Sequence, residues 1–256
     1  MTTSNSISLA NSQGALHVAV LAWGAWCPDR QTRADWRLWA GSPDGTNDDE
    51  PPPPLPMMLR RRLSPFGQRL VGVMSACAEG LPSARYVLST RHGELARALT
   101  TLIAIETDGL PSPTDFSMSI HHALLGLLSI HTGNRLGHTA LSASGDTFAS
   151  GLLEAATCVA ERPEEPVILV HADEPLPQDY AQFGEDDSAF PLVVALALGR
   201  PGDSPANDIT LELDTNSADG VPAANMATDF LRFFLSGAQA QRAIGRRTQW
   251  MWRRAA

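Results

Sequence analysis

Between Pro166 and His171 the chain runs Val-Ile-Leu-Val, apolar at every step. Successive strand residues face opposite ways, so such a strand is soluble only where both faces of its sheet are covered. That requirement points to an α/β layer architecture. Other strands are expected at Leu16–Trp26, closed by Cys27-Pro28, and at Tyr86–Thr90, Thr139–Ala143, Phe190–Leu198 and Ile209–Leu213. Helical spacing is read from the Ser64-Pro65 cap to Gly80, over Gly93–Glu106, over Ile120–Ile130, and over Asp146–Glu161, which is rich in small residues. The last such stretch is Met226–Ser236. Strands alternating with helices of this length predict a mixed, mainly parallel sheet flanked by helices. Residues 41–56, rich in Pro and acids, read as an exposed loop, and GLPSPTDF (109–116) as another. With a polar, flexible leader over 1–14, a tail over 237–256 and no internal repeat, one domain over 1–256 is expected. The tail ends in TQWMWRR, expected to form a final edge strand that covers the sheet with Trp250 and Trp252.

Composition removes several chemistries. All 19 basic residues are Arg, so a Lys Schiff base, a pyridoxal-phosphate anchor and the Lys of a P-loop are excluded. A net charge of −9 argues against a general nucleic-acid binder. Cys27, Cys77 and Cys158 form no CxxC pair, which fits neither a disulfide framework nor a zinc site and predicts a reducing, cytoplasmic location. No basic segment precedes the first apolar run, so no signal peptide is expected. No apolar run is long enough to span a membrane.

The segment from Ser112 to Pro175, SPTDF through HADEP, resembles the β-ketoacyl synthase family of the thiolase fold. In that family an SP-x-F segment leads into a helix, a Gly turn and a strand. A catalytic Cys then opens a small-residue helix, and an apolar strand ending in Ala-Gly-Gly-x-Glu follows. Here His171-Ala172-Asp173-Glu174 takes that last place, FPLVVALAL matches the next strand, and RRRLSPFGQRLVGVMSACAEG resembles an upstream helix. The resemblance covers roughly residues 15–200. It is greatest to short ketosynthase N-terminal-domain-like proteins, some called chain-length factors, of aryl-polyene and type II fatty-acid-like pathways. It implies a thiolase-like half-fold without the C-terminal half of a full ketosynthase, leaving one sheet face and one dimer edge uncovered.

The resemblance also implies a missing nucleophile. In SASGDTF the corresponding place is Gly145 or Asp146, neither of which can take an acyl chain, and the family's two catalytic His lie in the absent half. The implied role is a non-catalytic chain-length-factor-like subunit paired with a full-length ketosynthase. Phe116, Met118, His121, His122, Leu125 and Phe148 are the tunnel or interface candidates. Thr139, Ala140, Leu141, Ser142 and Ala143 would be the dimer strand. Arg60, Arg61 and Arg62 would dock an acyl carrier protein, whose phosphopantetheine is the only prosthetic group involved. No cofactor or metal of the chain's own is expected. Adjacent helical residues stand about 100° apart, so His121 and His122 are not expected to chelate one ion.

Other readings stay open. Ser142 or Ser144 could serve an acyltransferase or hydrolase if a base lay within reach, or the chain could be a homodimeric acyl-binding protein. Cys158 reads as core. Asp173-Glu174 reads as a turn-stabilising carboxylate pair, with acid–base catalysis as the alternative. Arg242, Arg246, Arg247, Arg253 and Arg254 could dock a carrier protein, a partner or a membrane surface.

Overall fold

The structure is a computed structural model that describes residues 14–42, 54–81, 83–183, 190–202, 207–214, 220–246 and 248–255. The expected leader, the centre of the 41–56 loop and Arg247 lie outside the described residues. Eight strands form one sheet: β1 (Leu16–Trp26), β2 (Arg85–Ser89), β3 (His138–Leu141), β4 (Val167–Asp173), β5 (Leu192–Gly199), β6 (Asp208–Asp214), β7 (Ala240–Ile244) and β8 (Gln249–Arg254). Their order is β3-β2-β4-β5-β1-β6-β8-β7. The helices are α1 (Arg33–Ala40), α2 (Met57–Arg60), α3 (Pro65–Cys77), α4 (Leu95–Asp108), α5 (Pro113–Met118), α6 (Ala123–Thr132), α7 (Thr147–Glu161) and α8 (Met226–Ser236).

The sheet is mixed and helix-flanked, as expected, but it is not mainly parallel. Only β2–β3 and β2–β4 are parallel; the other five pairings are antiparallel. Parallel neighbours need a helical crossover, which α4–α6 and α7 supply; β4 to β5, β1 to its partners, and the β7–β8 hairpin do not need one.

Both faces are covered, which corrects the expectation of a bare face. β4 and β5 divide their side chains by parity. Val167, Leu169, Val194 and Leu196 join α1, α7 and α8 in one core, while Ile168, Val170, Val193 and Ala195 join α2, α3, α5 and α6 in the other. The cover on the first face comes partly from the tail. Trp250 and Trp252, at period two on β8, are 3% and 0% exposed. Trp252 meets Phe148, Phe230 and Phe233 in an aromatic cluster with centroids 5.2–6.5 Å apart. The tail is therefore a strand, but an interior one: β8 lies between β6 and β7, and β7 is the rim. That rim is itself partly covered, since Ala223 N donates to Ile244 O at 2.7 Å.

Strand β1 changes phase at a bulge between Val20 and Ala22. Val18 and Val20 before it, and Trp23, Ala25 and Cys27 after it, all reach the same core. Two elements follow from local chemistry. Ser64 caps α3 by accepting from Gly67 N at 2.9 Å, with Pro65 at the first turn. Thr32 and Asp35 form a reciprocal capping box at α1, a helix not anticipated from the sequence. Among the described residues no helix is long and apolar enough to cross a membrane.

Candidate functional site

The turn from β3 into α7 holds a residue in an unfavourable backbone conformation. Ser144 has φ 54°, and among the described residues it is the one non-glycine with positive φ. An L-residue held there costs about 1–2 kcal/mol, so surrounding structure must impose it. Asp146, only 6% exposed, supplies that constraint: its Oδ1 accepts from Arg246 N at 2.8 Å and its Oδ2 from Thr248 Oγ1 at 2.9 Å. Thr147 adds a local clasp, accepting from Ala143 N and donating to Ser144 O at 2.9 and 2.6 Å. The β7–β8 turn is thus tied down across the start of α7. Gly145, facing the Arg246 side chain there, has no side chain to offer. The vacant position expected at Gly145 or Asp146 is accordingly a clamp, and the strained residue is Ser144, exposed to solvent.

Ser144 opens onto a cleft of about 40 Å³ lined also by Arg91, Phe148, His171, Asp173 and Asn225. His171 is 6% exposed. Its Nδ1 lies 3.1 Å from Ser89 Oγ and its Nε2 3.6 Å from Asp173 Oδ2, and the Phe148 ring stands edge-on to it at 5.6 Å. Asp173 acts as the expected turn carboxylate. Its Oδ1 accepts from Thr90 Oγ1 at 3.0 Å, Arg91 N at 2.8 Å and His92 N at 3.3 Å, fixing the loop after β2. Its neighbour Glu174 has its carboxyl pushed up to about 7, by burial first and then by the charge of Glu94. Burial also raises Glu94, against the lowering pull of Ser64 and Arg97.

The three cysteines are buried and free, and none lines this cleft. Burial pushes the Cys77 thiol up to about 12 and raises Cys158, which is also next to Glu154. Cys158 sits in the core, as read from the sequence.

The six tunnel candidates do not converge. Met118 and Leu125 are buried in the α3–α6 core, whereas Phe148 is buried in the core on the opposite face of the sheet. Phe116 is 58% exposed. His121 and His122 precede α6 instead of riding on it. The His121 ring packs on Gly93, and His122 lies 5.8 Å from His138. Among the described residues no group of three or more His, Cys, Asp or Glu is arranged to hold a metal ion.

The expected dimer strand is β3, shorter than anticipated: Ser142 and Ala143 belong to the turn, and Ser142 Oγ donates to Arg91 O at 3.2 Å. β3 forms the other rim of the sheet, bonded to β2 alone among the described residues. Arg60, Arg61 and Arg62 are exposed between the buried Leu59 and Leu63. The tail arginines separate. Arg253 pairs with Glu212 at 3.4 Å, Arg242 donates to Gln249, and Arg254 donates to the carbonyls of Phe234 and Ala238 at the end of α8.

Comparison with known proteins fits this geometry. A solved chain from the complex of the ketosynthase ApeO with its chain length factor ApeC, from Xenorhabdus doucetiae, superposes with a TM-score of 0.78 at 27% identity. The match takes in 93% of this chain and 100% of that one, so the two are of similar length. The ishigamide ketosynthase/chain length factor gives 0.60 at 12% identity over 80% of this chain and 68% of that chain. The type II polyketide synthase complex AntDE:AntF gives 0.55 at 16% identity over 72% and 63%. No curated protein sequence matches the chain. The family profile described as beta-ketoacyl synthase, N-terminal domain, matches residues 36–253, and the chain belongs to that family.

Proposed function

We propose that the chain is a chain-length-factor-like subunit. It pairs with a full-length β-ketoacyl synthase through the rim strand β3 and leaves condensation to that partner. The observation that carries this reading is the match, over 93% of this chain and 100% of the other, to a chain solved in a ketosynthase–chain length factor complex. The rim supports it: all four β3 residues are half-buried, and Phe116, Ile120 and Ile130 leave apolar surface exposed on α5, α6 and their junction. On this reading Phe116, His121 and His122 face the partner near the acyl tunnel, with Met118 and Leu125 behind them and Phe148 under Ser144. The acyl chain arrives on a carrier protein. Co-expression with the full-length ketosynthase followed by size-exclusion chromatography tests the pairing. Co-elution is expected, and Phe116→Arg, a change at an exposed site, should abolish it. A stable monomer indifferent to the ketosynthase would overturn the reading.

One observation favours a second reading, a serine-dependent acyltransferase or hydrolase. Ser144 has the positive φ of a strand-to-helix nucleophile turn and lines a cleft with His171. Against it, the His171 nitrogens lie against Ser89 Oγ and Asp173 Oδ2 at 3.1 and 3.6 Å. Incubation of the isolated chain with acyl thioesters, followed by intact mass, decides: an adduct lost in Ser144→Ala supports the second reading.

A further inference from the structure

We propose that the face made by α1 and α8 is a docking surface for a small acidic protein of the acyl-carrier class, with Arg30 and Arg232 as its principal contacts. This rests on the function proposed above only for the class of partner. The Arg30 guanidinium lies 4.9 Å from the Trp36 ring centre and 5.1 Å from that of Trp39, while Arg232 lies 4.4 Å from Trp39. One indole therefore holds two cations. Arg33 and Arg37 approach Trp23 at 5.9 and 5.8 Å. They also make further contacts of their own, so Arg30 and Arg232 carry the site. Trp36, 0% exposed and edge-to-face with Trp39 at 5.3 Å, fixes the platform.

Stacking does not consume a guanidinium's N–H donors, which lie in its plane and match carboxylates and phosphates two at a time. It does restrict the side chain, so less entropy is lost when an anion is bound. Three acids, Asp29, Asp35 and Asp229, share these segments with the four arginines. Asp35 is engaged by the backbone N–H groups of Gln31 and Thr32. Asp229, beside Arg232 on α8, is half-buried, and burial raises its carboxyl despite Arg232. Arg30 and Arg232, drawn onto one indole, repel each other, and an anion bound between them relieves that repulsion. Leu38, 85% exposed, adds apolar surface on α1.

A folded acidic protein fits better than a nucleic acid. Polyanion affinity scales with the number of phosphates neutralised, and this patch offers few cations on a chain of net charge −9. The exposed run Arg60–Arg62 has no aromatic platform among the described residues, so the preordered surface lies elsewhere than that run.

Calorimetric titration of the full chain with a purified apo acyl carrier protein tests the assignment. Arg30→Glu with Arg232→Glu should weaken binding at least tenfold, and raising salt should weaken the wild type. Arg60→Glu, Arg61→Glu and Arg62→Glu together should leave affinity within twofold. Since Arg30 packs on a core Trp, Arg232→Gln at its exposed site serves as the gentler variant, expected to lose threefold or more with an unchanged melting midpoint. Unaltered affinity in Arg232→Gln, loss only in the Arg60–Arg62 variant, no wild-type binding, or tighter binding of a 20-mer single-stranded DNA would each overturn it. Co-elution with the ketosynthase is measured on the same proteins. Its failure in the wild type counts against the proposed function, whereas co-elution with undiminished carrier binding in Arg232→Gln counts against this surface alone.

Discussion

Gly245 lies so close to Asp146 that a Cβ built on it would stand 2.0 Å from the carboxylate Oδ1. The β7–β8 turn can approach the start of α7 only because residue 245 has no side chain. Gly245→Ala should therefore displace the Asp146 carboxylate from Arg246 and Thr248 and cost about 3 kcal/mol. Asp146→Asn, which keeps an acceptor, should cost about half as much. Urea denaturation of the three proteins measures both, and equal stability of wild type and Gly245→Ala would refute the clamp.

Ser144 predicts a change of the opposite sign. Glycine tolerates positive φ without penalty, so Ser144→Gly should stabilise the chain by about 1 kcal/mol and raise the melting midpoint by about 2–4 °C. Ser144→Val should lower it. A drop on Ser144→Gly would mean that the hydroxyl makes an interaction worth more than the strain.

Gly151 decides between two rules. Alanine is normally preferred to glycine inside a helix by about 1 kcal/mol. Here the new Cβ would stand 2.5 Å from Ser89 Cβ on β2, and neither backbone can yield easily between α7 and the sheet. Overpacking of this kind costs about 1–3 kcal/mol, so Gly151→Ala should destabilise on balance. The same comparison at Gly72, where a Cβ meets nothing within 4 Å, should give a gain.

Glu174 sets a pH dependence. Its folded-state carboxyl is raised from 4.5 to about 7, so between those values the folded chain holds a proton that the unfolded chain has released. Stability from this group is then greatest at low pH and falls as pH rises through that window, reaching its minimum above 7. Because Glu174 is partly solvated, the effect after screening is on the order of 1 kcal/mol. Glu174→Gln should flatten the slope between pH 5 and 8 in thermal melts and be the more stable protein at pH 8.

The strongly patterned elements were legible in the sequence. Leu16–Trp26 and Met226–Ser236 have the bounds read from their apolar spacing, and Ser64-Pro65 caps α3 as expected. What escaped carries no apolar pattern of its own. α1, RADWRLWA, is short and charge-dense, and its order comes from a capping box and from arginines laid on its own tryptophans. β7 has no alternation of its own and is a strand because β8 pairs with it. The site was half legible: the turn SASGD was located, but small residues do not disclose which of them bears the strain, and Asp146 is bonded by a turn 100 residues away. Strand direction failed for a related reason, since hairpin neighbours late in the chain leave no crossover helix to read.

The two rims of the sheet differ in what they can accept. At β7 the carbonyl of Ile244 is already taken by Ala223, and Arg242 stands exposed along the strand. At β3 neither obstacle is present among the described residues. Addition of a strand is thereby hindered at β7, and on the pairing proposed above the sheet would gain a neighbour at β3 without offering an equally open rim for a further one.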